Sequence, residues 1–393
     1  MIRIFASSHW VMIPCCVNVM GLMRRAQYGN PWLCNVKLAQ SVSGTMWRRS
    51  ILGLAIVLAA CSNAATPSPN PSSASSVPVL QPRLERPSMA YDAARQQVIL
   101  FGATAVQGGV SETWAWKNGR WTSLHPPTSP PPRTSAGMAY DSTTQTIVLF
   151  GGQSAIAGPD GGLAAMADTW TWDGRTWARA ASAAGPPATV GPPIADDPPI
   201  GRLIMLIDGQ PEGTSQLTET WAWDGNNWAK LQPTASPPAP RFGGTMAYDV
   251  ATKQIVLFGR IVYIVGPQAG QADVATWTFD GRTWTAHASS AHPRGLEFAA
   301  LAYDDATRTL VHFGGGNAFD FFNDTWTWNG AGWTDHSTSA SPSKRSEAVV
   351  AYDAGNRQVL LYAGEVHTQQ SGTTYYDTWS WDGSTWTLRQ PST

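Results

Sequence analysis

At 393 residues, with 20 Trp, 37 Gly and 29 Pro but only 13% charged residues, the chain is composed for short strands and tight turns rather than for helices. A formal net charge of −1, with no Lys/Arg-rich run, excludes the clustered positive charge that a nucleic-acid backbone requires. All four cysteines (Cys15, Cys16, Cys34 and Cys61) precede residue 62, so the rest of the chain has no thiol for a disulfide, a thiolate metal site or a covalent nucleophile.

Residues 1–45 show no periodicity and place three cysteines ahead of a secretion signal; they are read as an upstream extension, with Met46 the true start. Met46-Trp47-Arg48-Arg49-Ser50 is a basic segment, followed by ten apolar residues, Ile51 to Ala60. Ten residues are too few to span about 30 Å of hydrocarbon as a helix, so 46–60 reads as a signal peptide. It ends in Leu58-Ala59-Ala60-Cys61, which resembles the lipobox of bacterial lipoproteins. The resemblance implies lipidation of Cys61, an extracytoplasmic location and attachment to a membrane. Residues 61–82, rich in Ser, Pro and Ala, hold too little apolar surface to fold and are expected to form an extended tether.

From residue 83 the chain repeats. Ala-Tyr-Asp recurs at Tyr91, Tyr140, Tyr248, Tyr303 and Tyr352, and the double interval between Tyr140 and Tyr248 holds a degenerate copy, Ala195-Asp196-Asp197. Six copies of roughly 50 residues therefore tile 83–393. Each continues with an apolar run that ends in glycine (Gly102, Gly152, Gly209, Gly259, Gly315, Gly364), as a strand buried on both faces should. A loop of variable length follows, and then Thr-Trp-x-Trp: Trp114/Trp116, Trp170/Trp172, Trp221/Trp223, Trp277/Phe279, Trp326/Trp328 and Trp379/Trp381. Period-two spacing puts both aromatics of a pair on one strand face. An Asn-Gly or Asp-Gly turn and a closing Trp (Trp121, Trp177, Trp228, Trp284, Trp333, Trp386) end each copy.

A lone four-stranded sheet cannot hide two apolar faces, whereas six such sheets stacked radially can. The expected fold is all-β, a six-bladed β-propeller with four antiparallel strands per blade, in which 17 of the 20 Trp pack between blades. The order Arg, Ala-Tyr-Asp, Phe-Gly-Gly, acidic-Thr-Trp-x-Trp-Asp-Gly, Trp resembles the kelch repeat and is similar to the bladed domain of the galactose-oxidase-like superfamily. Galactose oxidase itself needs copper and a Tyr cross-linked to Cys, and these repeats have no Cys. The seven histidines show no metal-type spacing, and His312, inside a strand run, reads as a packed or edge histidine rather than a ligand. No catalytic residue, metal or cofactor is assigned.

Two sets of residues remain for function. Arg133, Arg241 and Arg345 each precede their repeat's Tyr by seven residues and Arg294 precedes Tyr303 by nine. They either line one mouth of the channel and hold an anionic ligand, or pair with the acids before Thr-Trp: Glu112, Asp168, Glu219, Asp324 and Asp377. The uneven loops after the glycine strand should cluster on one face. Tyr263, Phe319, Phe321, Phe322, Tyr375 and Tyr376 are there either as partner contacts or as packing beneath the loops. The whole reads as a monomeric, lipid-anchored module that binds a protein or an envelope glycan through the loop face. The alternative is a hydrolase or lyase of polysaccharide working at the channel mouth.

Overall fold

The computed structural model describes residues 81–104, 109–158, 161–181, 185–208, 218–237, 243–262, 272–295, 297–317, 320–367 and 372–392; the signal, Cys61 and almost all of the tether lie outside them. Among the described residues there are strands and turns and no helix. Blade 1 comprises Leu84–Asp92, Gln97–Thr104, Ser111–Lys117 and Arg120–Leu124. Blade 2 comprises Gly137–Asp141, Thr146–Phe150, Thr169–Trp172 and Trp177–Arg179, and blade 3 Ile194–Asp197, Arg202–Asp208, Thr218–Trp223 and Trp228–Lys230. Blades 4 and 5 are Thr245–Asp249, Gln254–Val262, Ala272–Phe279 and Trp284–His287, then Ala300–Asp304, Thr309–Phe313, Thr325–Trp328 and Trp333–Asp335. Blade 6 closes the set with Val349–Asp353, Gln358–Tyr362, Thr378–Trp381 and Trp386–Gln390. Every blade is an antiparallel meander in chain order.

The first strands form the inner ring: each meets the first strand of the next blade, and the sixth meets the first. The sequence left open whether terminal strands share a closing blade. They do not, because each blade is one uninterrupted stretch of chain. Second strands carry the core, and their alternation decides which neighbour each residue serves. In blade 1, Val98 and Leu100 pack with Leu360 and Tyr362 of blade 6. Ile99 and Phe101 pack with Ile147, Leu149 and Trp172 of blade 2.

The repeated Trp and Thr explain one another. Each closing Trp donates its indole N–H to the Thr hydroxyl of the preceding blade's Thr-Trp pair: Trp177 to Thr113, Trp228 to Thr169, Trp284 to Thr220, Trp333 to Thr276 and Trp386 to Thr325, at 2.8–3.1 Å. Trp121 completes the circle on Thr378 at 2.9 Å. Five of these six indoles also meet, edge-on, an aromatic of the preceding blade's second strand, as Trp177 meets Phe101 at 5.3 Å and Trp121 meets Tyr362 at 5.4 Å, whereas Trp284 faces blade 3, whose second strand has no aromatic. His312 lies fully buried in blade 5, as a packed side chain, with its ring against Phe258 and Trp333.

The turns divide into two kinds. Asn118 and Gly119 both have positive φ, 55° and 76°, as a two-residue hairpin loop requires. The Asp-Gly turns are wider: Asp173 Oδ1 accepts from the backbone N–H of Arg175 and of Thr176, each at 2.8 Å, and Asp224, Asp280 and Asp382 repeat the pattern. Their glycines stand at φ 91–97° with the preceding blade's first turn against them. A Cβ on Gly383 would come within 2.5 Å of Thr307.

Candidate functional site

Antiparallel order puts the loops between second and third strands, and the segments entering each first strand, at one end of the propeller. The Ala-Tyr-Asp hairpins and Asp-Gly turns occupy the other. At the loop end Arg133 and Arg345 are fully buried. Arg133 grips Asp168 through both terminal nitrogens, at 2.6 and 2.9 Å, and donates to the carbonyls of Gly151 and Pro131. Arg345 does the same to Asp377, at 2.5 and 3.1 Å, and to Ala363 and Ser343. Each is a rivet that ties the incoming segment to both ends of its blade's loop. Burial alone would raise the Asp168 carboxyl, but hydrogen bonds from Arg133 and Trp170 hold it below the usual range.

Arg294, two residues out of register, is 65% exposed and reaches Asp324 at only 3.4 Å. Arg241, Tyr263 and Phe319 lie outside the described residues. The acids recur for a reason that includes the blades without an Arg. Glu112, Asp168, Glu219, Asp324 and Asp377 each accept the indole N–H of the Trp two residues on, at 2.7–2.9 Å. Blade 4 has Ala275 at that place, and Trp277 Nε1 is buried without a partner. The loop aromatics are half-buried. Tyr375 lies over the Arg345 guanidinium at 4.1 Å and Phe322 over that of Arg294 at 4.8 Å. Tyr376 packs on the core between blades 1 and 6, and Phe321 bridges to Gly316.

The channel mouth is made by a different column of residues. Arg86, Ser135, Gly191, Gly243, Phe298 and Glu347 each stand five before the Tyr, or before Asp196 in its place, and all six have left-handed φ, between 38° and 64°. Non-glycine residues enter this region at a cost of about 1–3 kcal/mol unless the surroundings hold them there. Here a belt of backbone bonds does so: Ser135 N–H to Arg86 O, Gly191 to Ser135, Phe298 to Gly243 and Glu347 to Phe298, at 2.7–3.0 Å. They surround a cavity of about 210 Å³ on the propeller axis. Repeat alignment on the Tyr was the signal available in the sequence, since this column varies freely between regular neighbours.

The side chains of the mouth are sorted by sector. Gly191 leaves open space, whereas Phe298 is 42% exposed and lies across Gly243. Beside Phe298 stands Glu347, whose carboxylate meets Arg86 Nε at 2.9 Å. Arg86 also donates to Glu365 Oε1 at 2.7 Å, and His367 Nε2 lies 2.8 Å from that same oxygen. Glu365 and His367 are carried by a short hairpin, Glu365–His367 with Gly372–Thr374, that rises from blade 6. Burial pushes the Glu347 carboxyl up to about 7 against the pull of Arg86, with Glu365 adding to the rise. Two carboxylates thus share the Arg86 guanidinium, and Arg86 and Glu347 line the cavity.

At the opposite end, Asp92, Asp141, Asp249, Asp304 and Asp353 are buried and cap their own hairpins by accepting backbone N–H bonds. Asp196, in the Tyr place of blade 3, is pushed up to about 6 by burial. This end is built of turns packed on turns.

No family model matches the chain, and no curated protein matches it either. Among solved structures it is similar to the one titled "Structure of YjhT", with a TM-score of 0.55 and 14% identity over 79% of this chain and 99% of that one. At that identity the likeness is one of fold.

Proposed function

We propose that this chain is a kelch-like, lipid-anchored binding module held outside the cytoplasm, and that it takes a protein or an envelope glycan on the loop face, centred on the channel mouth. The observation that carries this reading is the mouth column. Six positions with one backbone conformation carry Arg, Ser, Gly, Gly, Phe and Glu, so the scaffold repeats while its chemistry does not. The riveted loops around it supply rigidity, which lowers the entropy lost on binding.

The test is a glycan-array and proximity-labelling survey of the tethered protein alongside its Phe298→Ala/Glu347→Gln variant. Partners of the wild type should be lost by the variant; the same partners at the same strength would put the site elsewhere. The anchor has its own test. Cys61→Ala should abolish metabolic lipid labelling and release the protein from membranes, and unchanged labelling would remove the anchor from the proposal.

One observation favours the second reading, an enzyme acting on polysaccharide: Glu347, Glu365 and His367 converge around Arg86, and Glu347 sits near neutrality where a proton donor is effective. Release of new reducing ends from envelope polysaccharide, abolished by Glu347→Gln, would establish it.

A further inference from the structure

We propose that His312 is a proton-sensitive rivet at the loop end of blade 5, holding the segment that enters the blade while its imidazole is neutral and releasing that segment when it is protonated. This goes beyond the reading of the mouth and does not depend on it. In blades 2 and 6 the entering segment is held by a guanidinium: Arg133 and Arg345 donate to the carbonyls of Gly151 and Ala363 and grip Asp168 and Asp377. A guanidinium keeps its charge throughout the ordinary pH range. Blade 5 is built differently. Its Asp324 is reached by Arg294 only at 3.4 Å, and Asp324 Oδ1 is buried without a hydrogen-bond partner. The backbone of Gly295 lies against the carbonyl of Gly314, the counterpart of those of Gly151 and Ala363, so closely that a Cβ there would collide with it. The Gly295 carbonyl is in turn held by His312 Nε2, at 3.1 Å in a buried site.

His312 stands in a column that is otherwise aliphatic. Paired with Leu301 of the first strand, it takes the place of Leu100, Leu149, Met205, Leu257 and Leu361 in the other blades. Because its bonding partner is a carbonyl, Nε2 carries the proton of the neutral ring, and Nδ1 is left buried without a hydrogen-bond partner. Around the ring stand Trp326 of the third strand, Trp333 of the fourth and Phe258 of blade 4, none of them a counter-charge. The charged group facing it is Asp324, with Arg294 on the far side. Protonation thus adds a second N–H and a full charge where only one acceptor is in reach, and opening the segment to water relieves both. Burial holds the imidazole well below its ordinary 6.5, against the opposing pull of Asp324. A histidine depressed in this way takes up its proton more readily once opened. The rivet is therefore at full strength above pH 6.5 and weakens as pH falls below it. With an ordinary imidazole in the opened form, the open population rises about twentyfold between pH 7 and pH 5.

A pairing at the same place in two blades reports on the opening: Glu297 with Gly316 in blade 5, two residues beyond Gly295, and Thr134 with Gln153 in blade 2, beside Arg133. Hydrogen exchange of the full chain in detergent is measured at these amides at pH 7 and pH 5 and corrected for the intrinsic rate at each pH. Protection at Glu297 and Gly316 should fall about twentyfold at pH 5, while that at Thr134 and Gln153 stays level. His312→Gln keeps a donor for the Gly295 carbonyl but cannot titrate, and it should level the response of blade 5. His312→Leu, which installs the residue that blades 1, 2, 4 and 6 carry here, should level it too, at lower protection throughout. Should neither variant fold, the two blades of the wild type decide between the outcomes. An equal fall in both blades would mean general acid unfolding and would overturn the proposal, as would a level blade 5 or a fall that survives His312→Gln.

Discussion

At the scale of single residues, Glu347 concentrates the tension of the mouth. It holds a left-handed backbone, sits beside Arg86 and Glu365, and has a carboxyl raised from 4.5 to about 7 by burial. A raised carboxyl favours folding in its protonated form. That contribution is complete below the unfolded value and is lost as pH climbs through about 7. Glu347→Gln, which cannot ionise, should therefore melt a few degrees above the wild type at pH 8 and close to it at pH 4. A variant that melts lower at pH 8 would mean that the ionised pair with Arg86 is net stabilising. Arg133 and Arg345 show the opposite solution to burial, with every carboxylate contact bidentate and carbonyls taking further donors.

At the scale of the blade, the element that matters is the third strand, because its Thr and its two aromatics serve different neighbours. Thr325 accepts the Trp386 indole across the blade boundary at 2.8 Å in a buried site. Thr325→Val keeps the shape and leaves that N–H without a partner, so it should cost about 1–3 kcal/mol in denaturant unfolding. Trp328 has a buried Nε1 with no acceptor, and blade 4 uses Phe279 at the equivalent place. Trp328→Phe should accordingly cost under about 1.5 kcal/mol, the range of tolerated apolar exchanges. The reverse order of costs would show that ring packing, not the Thr bond, sets the blade boundary.

At the scale of the whole molecule, closure is achieved without a shared blade. Chain connections tie neighbouring blades everywhere except between blade 6 and blade 1. That seam rests on side chains: Trp121 to Thr378, Arg86 to Glu347 and Glu365, Tyr362 Oη to the Pro82 carbonyl at 2.6 Å, and Gln81 to the Pro391 carbonyl. Tyr362→Phe deletes one of these bonds and should cost about 1 kcal/mol. It should speed amide exchange in blades 1 and 6 before the others, since local opening begins where the fewest interactions resist it. Uniform acceleration round the ring would mean that the seam is no weaker than the other five boundaries. A fragment of 83–393 should melt in one step, and single-blade deletions should not fold, because each blade's apolar faces are covered only by its neighbours.

Much of this architecture was legible in the chain. Repetition is a statement about equivalent positions, so Tyr91 and its five partners in register, the glycine-terminated strands and the tryptophan columns led to six blades and to Trp as packing. The recurring acid before Thr-Trp was legible as a candidate partner of the arginines, whereas its constant partner, the Trp two residues on, emerged from the fold. What stayed hidden was everything that depends on which blade stands next to which end. Arg86 lies 261 positions before Glu347 and meets it at 2.9 Å because the ring closes there. Phe298, a residue with no motif around it, joins the lining of a cavity to which all six blades contribute. Local pattern decides strands and packing columns; the chemistry of the mouth arises only when six distant segments are brought to one axis.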